Sequence, residues 1–165
     1  MIFIEFIQWV LITLSIVTLT ILLAERYGVE IAIGIFAALV VIANIISSKI
    51  IFVGDIGSIN LIGPAGVIVY ASTFLITDII GEIYGKEYKK AVITGFFANV
   101  VAVVSILVAI NWTPAPFVKE EFLSAFNNIL GFAPRIVLAS MIAYIISQTH
   151  DVYAFHFWKD KTEGK

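Results

Sequence analysis

Residues Ser72 to Gly85 read Ser-Thr-Phe-Leu-Ile-Thr-Asp-Ile-Ile-Gly-Glu-Ile-Tyr-Gly and close an apolar run that starts near Leu61. A helix through this stretch sets Asp78 and Glu82 one turn apart on one face. Carboxylates at hydrocarbon depth are costly, and where they occur they face a protein interior or a wet cavity in which they pair or bind something. The stretch therefore decides the fold and marks a site together: the chain is built from membrane-crossing helices, and these acids are its first candidate functional groups.

The composition agrees. The chain has 165 residues, is 61% hydrophobic and carries 22 charged side chains, 10 basic and 12 acidic, with a mean hydropathy of +1.04. A water-soluble domain does not look like this. The net charge of −2 and a longest basic cluster confined to Lys86–Lys90 exclude nucleic acid as a direct partner, because nothing here neutralises a row of phosphates. The absence of cysteine removes disulfides, thiolate chemistry and Cys-based zinc or iron–sulfur sites. No cofactor is called for. The N-terminus carries Glu5 and lacks a basic leader, so Ile2 to Leu23 reads as a retained span rather than a cleaved signal peptide.

Windows long enough to cross about 30 Å of hydrocarbon, roughly 20 residues each, fall at 2–23, 31–53, 61–84, 91–110 and 134–150, the last with an amphipathic extension to Trp158. The expectation is a single all-α transmembrane domain over 1–165, a bundle of about five helices. Gly63, Pro64 and Gly66 interrupt the third window near its start, which predicts a broken or re-entrant segment there. The connection from Asn111 to Gly131 holds Pro114 and Pro116 among Phe117, Phe122 and Phe126 and reads as a loop with a short interfacial helix. Of the basic residues, Arg26, Lys86, Lys89, Lys90, Lys159, Lys161 and Lys165 gather on one side of the windows, against Lys49, Lys119 and Arg135 on the other. The first side is expected to be cytoplasmic, with the N-terminus outside, in a multi-pass protein of the cell membrane.

Polar residues recur four apart within the apolar windows: Asn44 and Ser48, Asp78 and Glu82, Tyr144 and Gln148, with Thr77 and Tyr84 beside the acids and Ser140, Ser147 and Asp151 extending the last stripe. These stripes are candidate linings of one cavity; the plainer reading is that such residues join helices to one another. For Asp78 and Glu82 the plainer reading is a structural pairing, with Lys86 one turn beyond. Lys49 reads as a snorkelling interfacial cation or a gating group, and Arg135 as an anchor or a partner for an acid across the bundle. His150, Asp151 and His156 do not make a metal site, since adjacent helical residues point about 100° apart.

Three blocks carry a resemblance to a known family. They are Asn44-Ile-Ile-Ser-Ser-Lys49, then Thr77-Asp78-Ile-Ile-Gly-Glu82-Ile-Tyr84-Gly85, and Arg135-Ile-Val-Leu-Ala-Ser140 continuing through Tyr144, Gln148 and Asp151 to Phe155. In order and spacing these resemble the queuosine-precursor transporter family, of the YhhQ or vitamin-uptake-transporter-like type, over about Ala43 to Lys165. The resemblance implies a membrane transporter, not an enzyme, that takes up 7-deazaguanine precursors of modified tRNA nucleosides. The family pattern continues beyond Lys165 with a further helix, so it also implies six helices in a complete member and that this chain lacks the last one.

The residues suit that ligand class. The Watson–Crick edge of a guanine-like base offers two adjacent N–H donors, which one carboxylate accepts together. Asp78 or Glu82 fits this role, Asn44 and Gln148 carry both donors and acceptors for the neighbouring groups, and Tyr84 or Phe74 offers a ring for stacking. An acid on the same path that takes up and releases a proton would couple transport to a proton gradient. Two other readings stay open: a substrate-capture subunit working with energising partner subunits on another vitamin-like solute, and an intramembrane enzyme using Asp78, Glu82 or Asp151 as acid and base. A homo-oligomer is compatible with each.

Overall fold

A computed structural model describes residues 2–162 of the chain. Six α-helices and one β-hairpin follow one another as α1 (Ile2–Tyr27), α2 (Val29–Ile46), β1 (Ile50–Ile56), β2 (Ile59–Pro64), α3 (Val67–Tyr84), α4 (Tyr88–Asn111), α5 (Glu120–Leu130) and α6 (Phe132–Lys161). Long apolar helical stretches able to cross a membrane cover Phe6–Tyr27, Val29–Ile46, Val67–Asn111 and Glu120–Lys161. The third of these is divided into α3 and α4 by a one-turn 3-10 segment at Gly85–Glu87. The chain is a helical, multi-pass membrane protein.

Two contacts show that the chain reverses at that segment. Gly66, at the entry to α3, lies against the Ala43 carbonyl and the Ser47 hydroxyl of α2. Asn99, well into α4, hydrogen-bonds Asn44 on the same turn of α2. A straight rod of 1.5 Å per residue cannot bring both back to one place, so α3 and α4 are antiparallel neighbours. Gly85, at φ 61, supplies the left-handed residue that ends α3. α6 then runs parallel to α3, for Tyr70 meets Ser147 and Glu82 meets Lys159. One end of the bundle thus collects Arg26, Lys86, Lys89, Lys90, Lys159 and Lys161; the hairpin, Lys49, Lys119, α5 and the start of α6 occupy the other.

α2 is the centre of the packing. Ala32, Phe36 and Val40 are fully buried against Ile76, Ile80 and Ala91 of α3 and α4, and alternating small and large residues let the backbones approach as membrane helices require. The outer faces stay apolar: Ile93, Phe97, Val101, Val104 and Val108 of α4 are each more than half exposed, as befits a surface solvated by lipid tails.

Two window boundaries are corrected. The second window was expected to run to Val53, but α2 ends at Ile46, where the Ser47 and Ser48 hydroxyls turn back to the carbonyls of Ala43 and Ile45. The β-branched run that follows pairs instead as an antiparallel hairpin, Ile50 opposite Pro64 and Ile56 opposite Ile59, with a bulge between Phe52 and Gly54 and a turn at Gly57-Ser58. The interruption expected at Gly63-Pro64 is the return strand of that hairpin, so α3 starts at Val67 and is continuous to Tyr84. The short helix expected between Asn111 and Gly131 is α5, and the last window continues unbroken to Lys161.

Candidate functional site

Three helices bring polar side chains together within the apolar bundle. On α2, the Asn44 amide nitrogen donates to Asn99 Oδ1 of α4 at 2.9 Å and to the Val40 carbonyl at 3.2 Å. The Ser140 hydroxyl of α6 lies 3.3 Å from Asn44 Oδ1 and 3.1 Å from the Val137 carbonyl. Asn99, 2% exposed, in turn donates to the Gly95 carbonyl at 3.2 Å. Asn44 therefore ties α2 to both α4 and α6. Asn99 was not singled out in the sequence, where it stands alone in an apolar helix; its one signal was being an amide at membrane depth, which in lipid has to find an internal partner.

About three helical turns nearer the lysine-rich end, Asp78 of α3 and Asp151 of α6 are neighbouring carboxyl groups. Both are half-buried. Asp78 Oδ1 and Asp151 Oδ2 are buried oxygens without a hydrogen-bond partner among the described residues. Two neighbouring carboxylates at low dielectric repel each other, and an N–H donor placed between them would meet acceptors on both.

Glu82, four residues on, does not join that pair. It reaches Lys159 Nζ at 2.6 Å in an ion pair at the lysine-rich end, where the Glu82 side chain is 56% exposed and that of Lys159 36%. The structural partner weighed for the acids was Lys86; the observed one comes from α6. Thr77 is buried and spends its hydroxyl on the Thr73 and Phe74 carbonyls of its own helix. Tyr84 packs, partly buried, against the core. Ser48 lies beyond the end of α2 and Lys49 is exposed next to it, its carbonyl accepting from the Ala65 amide. Arg135 is exposed on the first turns of α6, beside Asn127, Asn128 and Gly131. Tyr144 and Gln148 fall on α6, and their side chains lie outside the described residues, as does Lys165. Among the described residues no group of three or more His, Asp or Glu side chains is arranged to hold a metal ion.

Comparison with known proteins gives the chain its relatives. The model of a family described as putative vitamin uptake transporter matches residues 64–165, from the end of the hairpin through α6. A protein named probable queuosine precursor transporter, from Bacillus subtilis (strain 168), is 34% identical over 97 residues, which is 58% of this chain and 42% of that relative. The chain thus spans less than half of the relative's length. No solved structure matches it.

Proposed function

Since this chain belongs to the putative vitamin uptake transporter family, the match covering more than half of it, we propose that it imports a 7-deazaguanine precursor of modified tRNA nucleosides, 7-cyano- or 7-aminomethyl-7-deazaguanine, bound between α2, α3 and α6. The observation that carries this reading is the Asp78–Asp151 pair with its unpartnered oxygens. A guanine-type edge presents two parallel N–H donors, and a carboxylate in a dry site accepts both. Such a ligand would relieve the repulsion between the two acids while meeting their unfilled acceptors. The relative's name points to the same substrate class.

Within this reading Asp78 is the base-recognising group and Asp151 its neighbour. Thr77 and Tyr84 flank the acids on α3, whereas Asn44, tied to Asn99, Val40 and Ser140 about three helical turns away, holds the helices together rather than touching the base. Glu82, held by Lys159, stands at the lysine-rich mouth, while Lys49 and Arg135 flank the opposite one. The distribution of basic residues supports a cytoplasmic lysine-rich end, with the N-terminus outside the cell membrane. The family description keeps a second reading in play, capture of a vitamin-like solute for energising partner subunits or in a homo-oligomer.

The test is binding of both deazaguanines to the protein in nanodiscs, with guanine and a vitamin panel alongside. Charged hydrogen bonds contribute about 1.5–3 kcal/mol each, so Asp78→Asn should weaken binding at least about tenfold while Glu82→Gln stays near wild type. Tight binding of a vitamin instead, or deazaguanine binding indifferent to Asp78→Asn in folded protein, overturns the assignment.

A further inference from the structure

A groove of about 540 Å³ opens between α4 and α6. Its composition changes with depth. Tyr88 and Lys89, the first residues of α4, and His156, near the end of α6, lie at its lysine-rich mouth; Val92, Ile93 and Val152 line it one turn further into the bundle, with Thr149 deeper still. Because α4 and α6 run in opposite directions, both walls change from polar to apolar along the same direction, the membrane normal. That is the layering of a phospholipid, a charged head above hydrocarbon chains.

The ion pairs at the mouth leave Lys89 out. Lys90 is paired with Glu87 and Lys159 with Glu82, each at 2.6 Å, and Lys161 lies over the rings of Phe157 and Trp158. Lys89, on the groove itself, has no acidic partner among the described residues. Tyr88 and His156 pack ring against ring, 5.1 Å between centroids, and make a firm aromatic wall at headgroup level. The apolar walls continue without a break into the lipid-facing surface of α4, where Ile93 and Phe97 are both more than half exposed. An occupant can therefore enter sideways from the bilayer.

We propose that the α4–α6 groove is a site for one anionic phospholipid, its phosphate on Lys89 and an acyl chain between Val92, Ile93 and Val152. The proposal needs only that α4 and α6 cross the membrane, and it stands or falls independently of the transported solute. A basic side chain near an anionic headgroup is worth about 1 kcal/mol, which corresponds to about a fivefold preference.

Native mass spectrometry of the detergent-solubilised protein with added phosphatidylglycerol or phosphatidylcholine reads this directly. One phosphatidylglycerol should be retained about fivefold better than phosphatidylcholine. Lys89→Glu should abolish the preference, whereas Lys119→Glu, at the other end of the bundle, should keep it. On the wild-type protein, a phosphatidylglycerol with a photoreactive acyl chain should label peptides spanning 88–93 and 149–156. Equal retention of the two lipids, equal loss in Lys119→Glu, labelling spread evenly over the apolar surface, or a stable dimer that shields α4 and α6 from the probe each overturns it.

Discussion

The Asn44 junction makes the sharpest prediction about what holds the helices together. Truncating Asn99 to Ala removes one interhelical bond, the 2.9 Å contact with Asn44, but leaves the Asn44 amide on the Val40 carbonyl and its oxygen facing Ser140. Hydrogen bonds between membrane helices are worth about 0.6 kcal/mol on average and up to about 1.7 kcal/mol. Asn99→Ala should therefore cost about 1 kcal/mol plus the packing of a fully buried site. Asn44→Ala removes the links to both α4 and α6 and leaves Asn99 Oδ1 without its donor, so it should cost more, about 2–3 kcal/mol once an unsatisfied buried group is added. In the Asn44→Ala background, Asn99→Ala loses packing and the bond to the Gly95 carbonyl of its own helix, but no interhelical bond. A double-mutant cycle, read from unfolding in mixed micelles of dodecylmaltoside and increasing dodecyl sulfate by far-ultraviolet circular dichroism, should return a coupling of about 0.6–1.7 kcal/mol. Strict additivity, with a coupling below about 0.3 kcal/mol, would mean that the two amides do not support one another.

The glycines of α2 and its junction divide into two classes. Gly66→Ala drives a Cβ into the Ala43 carbonyl and the Ser47 hydroxyl, and should destabilise by about 1–3 kcal/mol, as overpacking does. Gly34→Ala, which meets nothing within 4 Å on α2, should stabilise by about 0.5–1 kcal/mol in the same assay. Lys159→Gln breaks a partly exposed ion pair and should move stability by no more than about 1 kcal/mol. Because the chain has no cysteine, single cysteines at Asp55 and at Lys86 report topology cleanly. An impermeant maleimide applied to intact cells should label the first and spare the second, and the opposite result would invert the assignment of sides.

Hydropathy fixes the helical membrane class with little ambiguity, and the polar residues set into apolar windows are conspicuous for the same reason: each is costly unless something receives it. It fails at the hairpin. Ile50 to Val53 and Ile59 to Ile62 are as apolar as any helix in the chain, and an average over a window carries no information on whether the backbone bonds within a segment or across to its neighbour. The β-branched content of that run and the Gly57-Ser58 turn are the local signals that a window average erases. Partnership across helices is illegible for a related reason. The period of a helix shows that Asp78 and Glu82 share a face, but not that α6 brings an acid to the first and a lysine to the second.

That divergence bears on mechanism. Two carboxylates one turn apart on α3 meet opposite electrostatic surroundings because α6 runs parallel to α3 and presents Asp151 at one level and Lys159 near the end. Glu82 is compensated by a cation at a partly exposed end, so a ligand gains little by displacing Lys159. Asp78 has a like-charged neighbour and an unfilled acceptor within the bundle, so a donor arriving there gains both a charge-assisted hydrogen bond and relief of repulsion. An Asp151→Asn variant separates these two contributions. It removes the repulsion and offers Asp78 an amide donor in place of a carboxylate, which a deazaguanine must then compete with. If Asp78 recognises the base, Asp151→Asn should weaken binding while leaving the fold intact. Binding that tightens instead would show that the repulsion, and not the unfilled acceptor, is what the native pair contributes.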